Sequence, residues 1–134
     1  MLLDTNFLIG LIREEPEYFQ KATELQEKGI EQRLPSPVII ELYYGAYNQG
    51  GDDDELRKLD NLFMMYDIVE TTLEAQKDSG IKLGKLPDHV EKDISFEDAR
   101  IATLAEERDE TVLTRDDDFD EFNCEWEEFP PDED

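Results

Sequence analysis

The chain has 134 residues, enough for one domain, and carries 37 Asp and Glu against 13 Lys and Arg for a formal net charge of −24. Apolar residues make up 38%, lean against the usual roughly 45–50%, yet the aromatic residues and periodic apolar runs exclude a disordered acidic polymer. The longest run free of Asp, Glu, Lys and Arg is the ten residues 42–51, against roughly 20 for a membrane helix, and the single Cys124 excludes an internal disulfide or a thiolate metal cage.

Met1-Leu2-Leu3 reads as a short buried strand that stops at Asp4, and a helix follows through Phe7, Leu8, Leu11 and Ile12. Glu15-Pro16 ends that helix and opens a second one with Tyr18, Phe19, Ala22 and Leu25 on its apolar stripe and Gly29 as its stop. Arg33-Leu34-Pro35-Ser36 is a second strand and its exit. Pro37 then opens a helix with Val38, Ile39, Leu42, Tyr43 and Ala46 inward. Asp52, Asp53 and Asp54 suit a turn and a helix start, and Leu56, Leu59, Leu62, Phe63 and Tyr66 continue at helical spacing. Residues 67–70 form a third strand candidate, and Thr71-Thr72 caps a helix through Leu73, Ala75 and Ile81 that ends near Gly84. Residues 85–92, with the lone His89, read as a polar surface loop. Ser95-Phe96-Glu97-Asp98 has the form of a capping box and opens a helix with Ala99, Ile101, Ala102, Leu104 and Ala105. Thr111 to Thr114 is a fourth strand and residues 124–126 an edge strand. The expected organisation is a single domain over 1–126 and a solvated acidic end over 127–134.

Short strands alternating with helices predict an α/β fold: a parallel sheet of four to five strands between helices on both faces, with its site at the carboxyl ends of the strands. Acids are so common here that counting them proves nothing, so context decides. Asp4 is the only charge in the first twelve residues, and Glu41 interrupts an otherwise uncharged stretch from Leu34 to Gly51. Asp98 reads equally as a helix N-terminal charge, and Asp116 and Asp118 equally as part of a solvated loop. Carboxylates converging at one sheet edge repel unless a cation joins them, and such hard oxygen donors suit Mg²⁺ or Mn²⁺. Phosphate-binding glycine loops and nucleophile elbows are absent from the sequence.

Four blocks in this order, LLDTNFLIGLI, PSPVIIELYYGA, ISFEDARIATLA and TVLTRDDDF, resemble the PIN-domain ribonucleases, most nearly the VapC-type toxins of toxin–antitoxin pairs. The resemblance implies a PIN-like three-layer α/β/α fold and a Mg²⁺- or Mn²⁺-dependent endoribonuclease held inactive by a small antitoxin. It implies catalytic roles for Asp4, Glu41, Asp98, Asp116 and Asp118, with Asp4, Asp98 and Asp116 on the metal and Thr5, Asn6 and Thr114 in support. The implied substrate is RNA, a polyanion at odds with the charge of −24, so Arg13, Lys92 and Arg115 are the candidate local basic patch. The competing readings are a PIN nuclease of RNA processing without an antitoxin, and a non-catalytic acidic interaction module.

Two further expectations follow. An acidic yet patterned chain, with an apolar start broken too early by Asp4 for a signal peptide, points to a halophilic cytoplasm, where screening shortens to about 3 Å at 1 M salt. Tyr43, Tyr44 and Tyr47 cannot all face one core, and Phe63-Met64-Met65-Tyr66 goes most of the way round a helix. Part of this surface is therefore expected to meet an antitoxin helix or a second copy of the chain in a homodimer.

Overall fold

Each strand of this protein is two or three residues long, so helices and caps carry much of the work of placing the sheet. The computed structural model describes residues 1–88 and 94–131; His89 and Lys92 lie outside the described residues. The elements run β1 (Leu2–Leu3), α1 (Thr5–Ile12), α2 (Pro16–Glu27), β2 (Arg33–Pro35), α3 (Pro37–Asn48), α4 (Asp53–Met65), β3 (Asp67–Val69) and α5 (Leu73–Lys85). They continue with α6 (Phe96–Arg108), β4 (Val112–Thr114), a 3₁₀ turn (Asp117–Glu121) and β5 (Trp126–Glu128).

All pairings are parallel, in the spatial order β3-β2-β1-β4-β5. The chain winds outward from β1 through β2 to β3, then crosses to the other side of β1 for β4 and β5. The reversal leaves a crevice at the carboxyl ends of β1 and β4, the topological switch point where open α/β sheets bind ligands. Leu2, Leu3, Val112 and Leu113 are fully buried in those central strands, as expected for strands covered on both faces.

Packing explains several local choices. A Cβ on Gly10 of α1 would stand 2.4 Å from the Tyr18 ring of α2, so only glycine permits this close helix crossing. On α5 the buried face is Ala75, Ser79 and Leu83, while Leu73 and Ile81, expected on the apolar stripe, are exposed. The small side chains allow close approach to α6, and the Ser79 hydroxyl donates to the Ala75 carbonyl at 2.6 Å and meets Thr103 Oγ1 at 3.0 Å.

The acidic C-terminal stretch does not begin at residue 127. Glu127 and Glu128 pair in register with Leu113 and Thr114, and the Phe129 N–H donates to the Thr114 carbonyl at 2.9 Å. The Phe129 ring packs edge-on against Phe7 and Tyr18, with centroids 5.6 and 5.1 Å away. An aromatic anchor and a strand ladder thus hold residues that composition alone assigns to solvent.

The tyrosine expectation divides between core and surface. Tyr43 stacks on Phe63 at 5.6 Å between centroids, whereas Tyr44, Tyr47, Met64 and Met65 are all more than 60% exposed. No helix among the described residues is long and apolar enough to cross a membrane.

Candidate active site

The site is built where β1 and β4 end side by side. Asp4, the first residue past β1, caps α1: its Oδ1 accepts the Thr5 N–H at 2.8 Å. Its Oδ2 accepts the Thr114 hydroxyl at 2.7 Å and the Asn6 amide at 3.4 Å, leaving the residue only 5% exposed. Thr114, the last residue of β4, also takes the Asn6 amide at 3.1 Å and the Asp116 N–H at 3.0 Å on its hydroxyl. The Asn6 side-chain carbonyl accepts the Arg115 N–H at 3.3 Å. The hydrogen bonds of Thr5, Asn6 and Thr114, the residues expected in support, thus tie the two strand exits to one another.

Asp98 arrives from α6. Ser95 caps that helix, accepting the Asp98 N–H at 3.0 Å, so the carboxylate in the first turn points at the strand ends. Asp116 caps the 3₁₀ turn by accepting the Asp118 N–H at 3.0 Å. One carboxylate oxygen each from Asp98, Asp116 and Asp118 lies within 4.8 Å of the others. Two ligands of one Mg²⁺, each at 2.0–2.1 Å from the ion, stand at most about 4.2 Å apart, so a small inward movement of these side chains would close the set.

Asp4, expected among the metal ligands with Asp98 and Asp116, is not in that close group. Its oxygens are turned to Thr5, Thr114 and Asn6, and it is near enough for its charge to act on Asp98. Asp118 takes its place beside Asp98 and Asp116. Glu41, one turn into α3, is held by the Thr5 hydroxyl, which donates to Oε2 at 2.7 Å.

Electrostatics set this region apart. Burial pushes the Asp98 carboxyl up to about 7, and the charges of Asp4 and Asp116 push in the same direction. Burial also raises Asp4, against the opposing hydrogen bonds from Thr114 and Thr5. Asp4, Asp98 and Asp116 form no ion pair with any described residue. A cluster of partly buried all-oxygen donors, in which Asp4 and Asp98 have raised proton affinity, fits a hard divalent cation.

Glu97 is the residue that the sequence left unassigned. It is half-buried, and burial raises its carboxyl first, followed by a hydrogen bond with Glu41 and the charges of Glu41, Asp4 and Asp98. Its only signal in the chain is its place beside Asp98 in the first turn of α6, a position that helix capping explains equally well.

Of the candidate basic residues, Arg13 lines a cleft of about 280 Å³ that also touches Thr5 and Glu41. Arg115 is exposed at the exit of β4. A larger cavity of about 720 Å³ lies away from the carboxylates, between α1, α2 and α4, with Phe19, Ile30, Leu62 and Met65 in its walls.

The PIN domain model matches residues 1–123. None of the curated proteins matches the sequence significantly. Among solved structures, the DNA-bound VapBC complex of Salmonella typhimurium is similar, with a TM-score of 0.79 and 22% identity over 95% of this chain and 96% of that one. VapBC2 of Rickettsia felis, bound to a promoter DNA fragment, gives a TM-score of 0.74 and 22% identity over 96% and 97% of the two chains. VapC20 of Mycobacterium tuberculosis, a toxin that cleaves the sarcin-ricin loop, gives 0.67 and 17% identity over 89% and 92%.

Proposed function

Because the chain belongs to the PIN-domain family, we propose that it is a divalent-metal-dependent endoribonuclease, the toxin of a toxin–antitoxin pair acting in the cytoplasm. The observation that carries this reading is the convergence of Asp98, Asp116 and Asp118, within reach of the Asp4 charge, at the switch point of the sheet. Asp98, Asp116 and Asp118 would hold Mg²⁺ or Mn²⁺, and Asp4, linked through the Thr114 hydroxyl to the Asp116 N–H, would add its charge beside them. When bound, such an ion supplies Lewis-acid polarisation of the phosphate and lowers the pKa of water.

The chain's own residues do the rest. Glu41, aimed by the Thr5 hydroxyl, accepts a proton from the attacking water and orients it in line with the scissile bond. Arg13 and Arg115 offset the phosphate charge that the acidic surface would otherwise repel. In-line attack by water leaves a 5′-phosphate and a 3′-hydroxyl.

The similar structures VapBC of S. typhimurium and VapBC2 of R. felis are toxin–antitoxin complexes, and this supports an antitoxin partner here. The 720 Å³ groove walled by Phe19, Ile30 and Met65 suits the apolar face of an amphipathic helix. A second copy of the chain is the other partner we propose, with sedimentation of the purified protein as its test.

The decisive experiment is cleavage of end-labelled RNA with the ion removed and restored. Cleavage stops in chelator, returns with Mg²⁺ or Mn²⁺, and is lost in Asp116→Asn along with Mn²⁺ binding by calorimetry. Wild-type cleavage by Asp116→Asn would refute the site.

A further inference from the structure

The cleft of about 280 Å³ that touches Thr5 and Glu41 has features that metal binding does not explain. Its position is one: it opens on the same Thr5–Glu41 hydrogen bond, 2.7 Å long, that borders the carboxylates. Gly45 is another. It sits inside α3, where glycine weakens a helix relative to alanine, and it needs no unusual backbone angle there. A Cβ built on it meets no atom within 4 Å, so no contact within the protein requires its absence. Gly80 and Gly84 of α5 are equally open, but Gly45 is the one that lines the cleft beside Glu41.

Beside the carboxylates of Glu41 and Glu55, the lining carries three groups with a common chemistry. The Tyr44 ring is 69% exposed. The Gln49 amide offers both a donor and an acceptor. Arg13 has no ion-pair partner among the described residues, in a chain with 37 acids and 13 bases. The floor, with Ile9 and Leu59, is apolar. An aromatic face, a hydrogen-bonding edge and a cation over an apolar floor suit a nucleobase and its phosphate. The volume excludes a helix, which is about 10–12 Å across, and holds one flat ring system instead.

We propose that this cleft receives the unstacked base of the nucleotide next to the scissile phosphate. Tyr44 stacks on the base, Arg13 meets its phosphate, and Gly45 keeps the space open. This rests on the ribonuclease reading and deepens it: the substrate is single-stranded at the cut, because a paired base cannot reach the cleft, and Gly45 and Tyr44 are specificity-determining positions. None of these residues belongs to the carboxylate machinery.

The test pairs variants with modified substrates. A single-stranded RNA is cut by wild-type protein, and the same RNA is made with an abasic site next to the mapped cut. Losing one stacked base lowers kcat/KM about tenfold or more for the wild type. Gly45→Leu fills the cleft and lowers kcat/KM on the intact RNA by a similar factor, mainly through KM, and it cuts abasic and intact RNA equally. Tyr44→Ala reproduces part of this loss. Gly45→Ala is the folding control: its melting temperature rises by about 2–4 °C while cleavage falls.

Wild-type protein that cuts no RNA overturns the ribonuclease reading and this inference with it. Wild-type protein that cuts, beside a Gly45→Leu variant that cuts equally well and still discriminates against the abasic substrate, overturns the cleft assignment alone. A Gly45→Leu variant that cuts normally but no longer retains a small co-expressed protein also overturns it, since the cleft would then serve a protein partner.

Discussion

The two ends of the sheet treat negative charge in opposite ways. At the amino end, where β1, β2 and β4 begin, Glu110 is surrounded by cations. Its Oε2 accepts from the Met1 amine at 2.9 Å and from Arg33 at 3.0 Å, and its Oε1 accepts from Arg108 at 2.8 Å. Burial pushes its carboxyl up, but the hydrogen bonds from the Met1 amine and Arg108 outweigh that and hold it below its ordinary value. At the carboxyl end, Asp4, Asp98 and Asp116 crowd together with no such partners among the described residues, and burial pushes the Asp98 carboxyl up to about 7. Among the described residues, two of the chain's 13 bases and the Met1 amine converge on one glutamate, and none forms an ion pair with Asp4, Asp98 or Asp116 at the other end. The amino end is complete in itself; the carboxyl end is arranged for a charge from outside.

The largest test of that contrast is catalytic. Asp4→Asn, Asp98→Asn and Asp116→Asn should each cut RNA cleavage by about 10² or more, while melting of the metal-free protein holds or rises as repulsion is relieved. Asp53→Asn, on the exposed first turn of α4, should leave cleavage unchanged. An Asp4→Asn protein that cleaves at the wild-type rate would break the assignment.

Next in size is the amino end. Glu110→Gln should keep cleavage but cost about 1–3 kcal/mol in urea denaturation, since Arg33, Arg108 and the Met1 amine lose their shared acceptor. If this variant were as stable as wild type, the clamp would contribute nothing to the fold.

The pH profiles should run in opposite directions. The folded state holds a proton on Asp98 between the ordinary value of 3.8 and about 7, a window in which the unfolded state has released it. The unfolded state binds fewer protons there, so the metal-free protein loses stability as pH rises across the window. Glu110, lowered in the folded state, contributes stability that is present above its ordinary value of 4.5 and is lost as pH falls through its folded value. Denaturation of Asp98→Asn should reduce the first slope, leaving the share of Asp4 and Glu97, which are raised as well, and should not alter the second; saturating Mg²⁺ should reduce the first in the wild type. A metal-free profile with no loss of stability between pH 4 and 7 would contradict this.

The smallest effect is that of salt. Raising KCl from 0.1 to 1 M shortens the screening length from about 10 to 3 Å. The amino-end pairs weaken, but the repulsion among an excess of 24 negative charges weakens more, so the melting temperature should climb with salt. A melting temperature that falls would mean that the pairs outweigh the crowd.

What the sequence could convey depended on how rare a residue was in its surroundings. Asp4 and Glu41 were legible because each is a lone charge in an apolar stretch, and the strand–helix alternation gave the parallel sheet. Glu97 was not legible: its meaning arises only when α6 sets it against Glu41, more than fifty residues away, and one acid among 37 carries no mark of its own. That Asp118 rather than Asp4 stands closest to Asp98 and Asp116 depends on the caps that aim each carboxylate, which residue types do not specify. Phe129 was hidden for the opposite reason, as an aromatic anchor in a segment whose composition reads as solvent-exposed.

The caps around the carboxylates bear on the life history of the protein. Asp4, Ser95 and Asp116 each begin a helical turn, so three sets of backbone N–H groups, and the partial positive charge at each of those helix ends, face the crowded acids before any ion arrives. The newly synthesised chain can therefore reach its final shape empty, unlike small domains that stay unfolded until metal binds. If the carboxylates take an ion as proposed, its loading would be a late and reversible event. On the proposed reading, withdrawing the ion would silence the molecule without unfolding it, and the same molecule would be rearmed when the ion returned.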